Sequence, residues 1–265
     1  IVNLRHDREA ERRERYAKIL AEKKAREGYT FEEANDKMFE RNYFGMMMVE
    51  TGEADAFITG LYTKYSNTIK VAKEVIGIRP EFKHFGTMHI LNSKKGTYFL
   101  ADTLINRHPN AETLIDIAKL SEYTVRFFNH TPVMAMLSYS NFGTDKEGSP
   151  VSVHEAVDYM QRNYPDLAID GEFQFDSAIN PKVAAKKVHR ESAVAGQANV
   201  VIWPDINVGN IGVKIIQNLT GANAYGPMLQ GFKKIVCDCS RSAPVDEIVG
   251  NVVMSCVRAQ ALKEA

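Results

Sequence analysis

Val133-Met134-Ala135-Met136-Leu137-Ser138 runs into Tyr139-Ser140-Asn141-Phe142-Gly143-Thr144, an apolar run of strand length giving way at once to hydroxyls and a glycine. Residues 111–128 before it and 153–163 after it carry apolar positions at helical spacing, so a strand is bracketed by helices. The same alternation extends in both directions. Strands are predicted at 56–59, 88–91, 98–101, 167–170, 200–203 and 234–236. Helices are predicted at 68–76, 175–187, 211–219 and 244–262. Short apolar runs alternating with helical segments predict a parallel α/β architecture.

The N-terminal part reads differently. Residues 5–27 are charged at nearly every position, with Tyr16, Ile19 and Leu20 as the main apolar points, which predicts one long helix with a narrow buried stripe. Gly28 ends it. Thr30-Phe31-Glu32-Glu33 then offers a Thr-x-x-Glu capping box for a second helix, and a third spans 43–50, stopping at Gly52. Met46, Met47 and Met48 within it read as core filling.

Of the 265 residues, 45% are hydrophobic and 25% charged, enough for a sizeable core that could split into two lobes around a cleft. Lys plus Arg and Asp plus Glu both number 33. A net charge of zero excludes a broad electrostatic grip on nucleic acid or an anionic membrane, so anion recognition must be local. The longest apolar runs, such as 199–203, fall far short of the roughly 20 residues of a membrane span, and no signal segment opens the chain. The expectation is a cytoplasmic protein. Three cysteines, Cys237, Cys239 and Cys256, make no disulfide framework, and Cys237-Asp238-Cys239 lacks the four-ligand set of a structural zinc site. The start at Ile1-Val2-Asn3-Leu4, without Met, is expected to be a cut from a longer polypeptide.

In open α/β sheets ligands bind beyond the carboxyl ends of the strands, and three segments have that character. The first is 138–144, whose small polar residues read equally as ordinary turn chemistry. The second runs from Pro204-Asp205-Ile206-Asn207 to Val208-Gly209-Asn210-Ile211-Gly212-Val213-Lys214: Gly209 and Gly212 admit close approach, and Asn210 can cap a helix whose N-terminus favours an anion. A capped turn with no ligand fits this segment as well. No G-x-G-x-x-G occurs anywhere, so a nicotinamide site in this chain has no support. The third, Cys237-Asp238-Cys239-Ser240-Arg241-Ser242-Ala243-Pro244-Val245-Asp246-Glu247-Ile248, sets a hydroxyl beside a guanidinium just before a helix-opening proline, with carboxylates in the first turn. Ordinary capping with a surface ion pair explains it too.

Taken together, these loops resemble the phosphate acetyltransferase family, and especially the transacetylase-like domain fused behind bacterial malic enzymes. The resemblance runs over essentially the whole chain. It is carried by Asn42-Tyr43-Phe44-Gly45, Gly52-Glu53-Ala54-Asp55-Ala56, Phe99-Leu100-Ala101-Asp102-Thr103, Leu137-Ser138-Tyr139-Ser140, Asp170-Gly171-Glu172-Phe173-Gln174-Phe175-Asp176, Val183-Ala184-Ala185-Lys186-Lys187, the segment 204–210 and Gly226-Pro227-Met228-Leu229-Gln230-Gly231. It implies a dimeric, two-lobe α/β fold like that of the isocitrate and isopropylmalate dehydrogenases, with acetyl-CoA in a cleft between lobes. One lobe would be 1–79 plus 233–265, lacking the family's first strand-helix unit, and the other 80–232.

The resemblance also implies residue roles. In a transacetylase Ser240 would steady the transition state, Arg241 would bind phosphate, and an aspartate would take the CoA thiol's proton. Glu247 stands at that aspartate, while Lys70 and Lys24 stand where two further arginines are expected. Lysine is a single-point donor where arginine offers a planar fork, and glutamate moves the carboxylate by a methylene. Ser242 replaces a glycine. Ligand contacts are assigned to Ser138, Ser140, Asp176, Asn207, Gly209, Asn210, Lys214, Gln230, Ser240, Arg241 and Lys24. No metal is expected: Asp170, Glu172 and Asp176 read as a loop shaping the cleft, and His89, His108, His130, His154 and His189 lack ligand spacing.

Retained binding loops with altered reactive groups lead to a first expectation of a non-catalytic domain. It would bind acetyl-CoA as an allosteric effector and hold together a homo-oligomer of an NADP-dependent malic enzyme. NADP, a divalent metal and malate oxidation would belong to absent upstream domains acting in cis. The alternatives are a working phosphate acetyltransferase using Ser240, Arg241, Glu247 and Lys70, and a ligand-free dimerisation scaffold.

Overall fold

The computed structural model describes residues 1–60 and 62–264. They divide into two compact units, Ile1–Arg79 with Phe232–Ala265, and Pro80–Gly231.

In the first unit the charged segment is not one long helix. A 3-10 turn at Asp7–Glu9 leads into α1 (Ala10–Lys23), and a second 3-10 turn, Ala25–Glu27, ends at Gly28 with φ 83°. Tyr16, Ala17 and Leu20 form the buried stripe, and Arg13 is buried because its guanidinium donates to the carbonyls of Leu4 and His6 at 2.6 and 3.0 Å. The capping box opens α2 (Phe31–Lys37): Thr30 Oγ1 accepts from the Glu33 N–H at 3.2 Å while the Glu33 carboxylate accepts from the Thr30 N–H at 3.0 Å. Such a cap contributes about 1 kcal/mol. In α3 (Arg41–Glu50), Tyr43, Phe44, Met46, Met47 and Val49 are buried, and the Phe44 ring meets Tyr16 edge-on at 5.3 Å. The strand β1 (Ala56–Thr59) and the helix α4 (Tyr65–Val75) follow.

The second unit begins with a hairpin of β2 (Gly86–Ser93) and β3 (Gly96–Ala101). Next comes α5 (Ala111–Phe127), capped by Asn110, whose side chain accepts from the Thr113 N–H at 2.9 Å. Then follow β4 (Val133–Leu137), α6 (Ser149–Asn163), β5 (Ala168–Phe173), α7 (Phe175–Ile179), α8 (Pro181–Lys187), β6 (Val200–Ile202), α9 (Ile206–Thr220) and β7 (Asn223–Gln230). Within this unit the strand order is β7-β2-β3-β6-β4-β5. The run from β3 to β5 is parallel, whereas β2 is antiparallel to both neighbours. The sheet is therefore mixed, where the sequence pattern predicted parallel strands alone. On one of its sides Leu100, Leu137, Phe173, Val201, Trp203 and Val213 pack into one core.

Two further differences have local causes. The predicted helix over 175–187 breaks at Asn180, which is extended (φ −117°, ψ 109°) and whose side chain caps α8, because a proline at 181 cannot continue the preceding turn. The strand β7 escaped the sequence reading because Gly226-Pro227 in its middle reads as a turn.

The chain returns to the first unit with β8 (Ile235–Asp238), parallel to β1, and α10 (Val245–Glu264). Among the described residues no helix is long and apolar enough to cross a membrane.

Candidate functional site

In the second unit, loop 138–143 leaves the carboxyl end of β4 and is bonded back along the end of β5. The Ser138 N–H donates to the Phe173 carbonyl at 2.8 Å and the Phe142 N–H to the Glu172 carbonyl at 3.0 Å. Asn141 and Gln174 exchange two hydrogen bonds, at 2.9 and 3.1 Å, and the Gln174 amide also donates to the Tyr139 carbonyl at 2.8 Å. The Glu172 carboxylate is fully buried; one oxygen accepts from the Ser140 hydroxyl at 3.2 Å and from the Gly143 N–H. Ser138 and Ser140 are thus brought together, their hydroxyls 3.5 Å apart, but both are buried and engaged inside the loop. The Tyr139 ring faces solvent, its hydroxyl donating to Asp145 at 2.5 Å.

The second predicted loop opens α9. Its cap is Asp205, not Asn210: the Asp205 carboxylate accepts from the N–H groups of Asn207 and Val208 at 2.7 and 3.1 Å. The helix consequently starts at Ile206, about a turn earlier than predicted. Asn210 lies inside it and donates to the Thr103 carbonyl at 3.3 Å. A cavity of about 390 Å³ is lined by Arg107, His108, Ile206, Asn207, Asn210 and Ile211. Gly209 is committed to packing, since a Cβ there would meet the Asp102 carbonyl oxygen and the Trp203 ring. Lys214 is exposed on α9. Asp176 accepts from Lys187 at 2.8 Å, and that bond holds its carboxyl below the ordinary range. Gln230 is buried, its amide donating to Thr124 Oγ1 at 2.6 Å and to the Leu120 carbonyl at 3.1 Å.

In the first unit, the segment after β8 carries the residues that the resemblance marked as reactive. Ser240 and Arg241 are exposed, and among the described residues Arg241 has no ion-pair partner. The Ser240 hydroxyl lies 3.1 Å from that of Ser242 and accepts from the Ser242 N–H at 3.3 Å. Glu247, in the first turn of α10, is partly buried, and burial pushes its carboxyl up. Just before them, Asp238 at the end of β8 is buried; burial raises its carboxyl against a lowering hydrogen bond from Thr68. Cys239 is lowered, first by the hydrogen bond from Cys237, and also receives a bond from the Asn251 amide at 3.5 Å.

Lys70 lies on α4, exposed and 3.8 Å from Glu74. Glu74 accepts from the hydroxyls of Tyr29 (2.8 Å) and Tyr43. Burial alone would raise Glu74, but those two hydroxyls, with Lys37 and Lys70, hold it below the ordinary range. The tyrosines move the other way: Tyr29 is pushed up to about 12 and Tyr43 is raised further, first by burial and then by Glu74. Lys37 donates to the Tyr43 hydroxyl at 3.1 Å and sits over both rings. The Lys24 ammonium pairs instead with Glu27 at 2.7 Å, while its carbonyl accepts from the Tyr29 N–H at 3.4 Å. Sequence reasoning missed Tyr29 and Glu74; Tyr43 and Asp238 lay within quoted segments but were given no role. Among the described residues no cluster of His, Cys, Asp or Glu could hold a metal ion.

Comparison with known proteins gives one consistent answer. A family model described as phosphate acetyl/butaryl transferase matches residues 2–256. A phosphate acetyltransferase of Acetivibrio thermocellus is 38% identical over 261 residues, 96% of this chain and 78% of that protein. Among solved structures, a phosphotransacetylase from Streptococcus pyogenes superposes with a TM-score of 0.84 at 36% identity, covering 94% of this chain and 74% of that one. A Staphylococcus aureus phosphotransacetylase gives 0.83 at 32%, covering 98% and 78%. The α/β fold is that of these phosphotransacetylases. The relatives overturn the expectation of a non-catalytic domain: the chain is similar over nearly its whole length to enzymes, and it is the alternative, acyl-transfer reading that they favour. A malic-enzyme parent, with its NADP, divalent metal and oxidoreductase chemistry, finds no support among them.

Proposed function

The chain belongs to the phosphate acetyl/butaryl transferase family, and from that premise we propose that it is a working phosphate acetyltransferase, interconverting acetyl phosphate and coenzyme A with acetyl-CoA and phosphate. The observation that carries this reading is the segment after β8. A hydroxyl and a guanidinium without an ion-pair partner among the described residues stand side by side on Ser240 and Arg241, and a partly buried carboxyl pushed above its ordinary value follows on the first turn of α10.

A raised carboxyl is a better base, since catalytic efficiency improves as its pKa approaches the operating pH. Glu247 takes the proton of the coenzyme A thiol, and the thiolate attacks the carbonyl carbon of acetyl phosphate, forming the C–S bond. The Ser240 hydroxyl donates to the oxyanion that develops. The C–O bond to phosphate then breaks, and the phosphate leaves with the electron pair, held by Arg241 and by the ammonium of Lys70. Ser242 bonds the same hydroxyl that must serve the oxyanion, so Ser240 exchanges one partner for another during turnover.

The test is direct: purified protein with acetyl phosphate and coenzyme A, followed by the absorbance of the new thioester. Turnover of about 1–1000 per second is the expectation. A folded protein that makes no acetyl-CoA ends this reading.

The same reading includes self-association. On α9, Val208, Ile211, Ile215 and Leu219 form an exposed apolar stripe, and on α10 Val245, Val249, Val252 and Val253 form another. A second copy of the chain is the partner that family membership suggests for them. Sedimentation equilibrium should report a dimer, and a monomer at assay concentrations would reject it. The free thiols of Cys237, Cys239 and Cys256 fit a reducing compartment such as the cytoplasm.

A further inference from the structure

We propose that Glu172 is a positioning residue for coenzyme A, acting through loop 138–143; this rests on the transacetylase reading above. Glu172 has no exposed surface, and a carboxylate is rarely buried so completely without a compensating set of donors. Its donors all come from one place. The Ser140 hydroxyl and the Gly143 N–H go to one carboxylate oxygen, and the Phe142 N–H goes to the Glu172 backbone carbonyl. The other carboxylate oxygen has no hydrogen-bond partner among the described residues, and the half-exposed imidazole of His154 lies 3.8 Å from it.

The loop that Glu172 holds is one that would not hold itself. Phe142 takes φ 47°, a left-handed conformation unusual for a residue with a bulky side chain, and Gly143 follows at φ 73°. Such backbone persists only when its surroundings over-determine it. Here they do. Besides the Glu172 bonds, the Phe142 ring packs edge-on against Phe173 at 4.8 Å and lies beneath the Arg190 guanidinium at 3.8 Å. Arg190 is itself ion-paired with Asp170, which also accepts from the Ser192 hydroxyl at 2.6 Å. Buried carboxylate below, ring and guanidinium above, the loop is fixed before any ligand arrives. Its outward group is Tyr139, whose exposed ring offers the apolar surface on which a nucleotide base stacks. A loop ordered in advance spares binding the entropy of ordering it, so the effect belongs in coenzyme A affinity.

The experiment is steady-state kinetics on the full chain with coenzyme A varied at saturating acetyl phosphate, alongside thermal melts. Glu172→Ala should raise KM for coenzyme A by about tenfold or more, with kcat within a factor of about three, because the groups of the segment after β8 are untouched. Glu172→Gln keeps an acceptor for Ser140 and Gly143 and should recover most of that loss. Damage to the core alone would lower the active fraction, hence kcat, and leave KM in place. If Glu172→Ala does not fold, Phe142→Ala, at a partly exposed position, decides the matter through the same rise in KM. An unmoved KM in folded Glu172→Ala or Phe142→Ala, against an active parent, overturns the proposal and leaves the transacetylase reading standing. A parent that is inactive and takes up no acetyl-CoA in calorimetry overturns both.

Discussion

Loop 138–143 of the second unit and segment 239–244 of the first unit both follow the carboxyl end of a strand, and both carry serines, yet they are built in opposite ways. The first is bonded at nearly every residue to the end of β5, with its serine hydroxyls turned inward. The second leaves Arg241 without an ion-pair partner among the described residues and engages the Ser240 hydroxyl only with its neighbour Ser242, while the Ser240 carbonyl accepts from the Ala243 N–H at 3.1 Å. A surface meant to recognise a large ligand gains affinity from being fixed in advance. Groups meant to follow a reacting centre must be able to exchange partners as charge moves from thiol to carbonyl to phosphate. Under the transacetylase reading, substrate affinity belongs to the stiff loop and the rate to the sparsely bonded segment.

The severest test of that division is Glu247→Gln, which keeps size and removes the base. It should lower kcat by about 10²–10⁴-fold with little change in KM for coenzyme A; an active Glu247→Gln protein would move the base elsewhere and dissolve the comparison. Arg241→Ala should cost about 10²–10³-fold in kcat/KM for acetyl phosphate, again sparing coenzyme A affinity. Lys70→Arg is expected to improve the phosphate side, lowering KM for acetyl phosphate by about tenfold where the planar fork replaces a point charge. Should it instead weaken binding, Lys70 does not face the phosphate. Ser242→Gly removes one competitor for the Ser240 hydroxyl and should raise kcat by about twofold to fivefold, the smallest effect in the series.

The end of β8, just before the sparsely bonded segment, also has a pH signature. The Asp238 carboxyl is raised by burial, so the folded state favours its neutral form. Its contribution to stability is complete below the ordinary carboxylate range and is lost as pH rises through the raised value. Asp238→Asn should therefore melt higher than the parent at neutral and alkaline pH and gain nothing in acid. Differential scanning calorimetry across pH reads this, and a constant offset between the two curves would show that Asp238 is not the titrating group.

Much of this was legible in the residues. Thr30 with Glu33 and the run 133–138 each state their role locally, through a cap or a period, whereas the roles given to Ser240, Arg241 and Glu247 came from the family resemblance and not from their spacing. What escaped was non-local. The antiparallel pairing of β2 with β7 joins residues far apart in the chain, and Gly226-Pro227 hides a strand behind turn chemistry. Asp205 outcompeted Asn210 as a cap because its carboxylate reaches two N–H groups, which only the backbone path reveals. Glu172 read only as part of a loop shaping a cleft, since nothing in its neighbours states that Ser140 and Gly143 will close over it. The reactive residues misled differently: glutamate and lysine in place of aspartate and arginine were read as lost catalysis, and the relatives correct that reading.

The chain has one tryptophan, Trp203, and it is buried in the second unit, against Gly209 and Gly212 and stacked on Phe175 at 6.1 Å. Ultraviolet emission from this protein is consequently a private signal. It reports the solvent and packing around α9 and stays blind to the melting of α1, α4 or α10, so a denaturation curve read by indole fluorescence and one read by helical circular dichroism will coincide only if the two units come apart together.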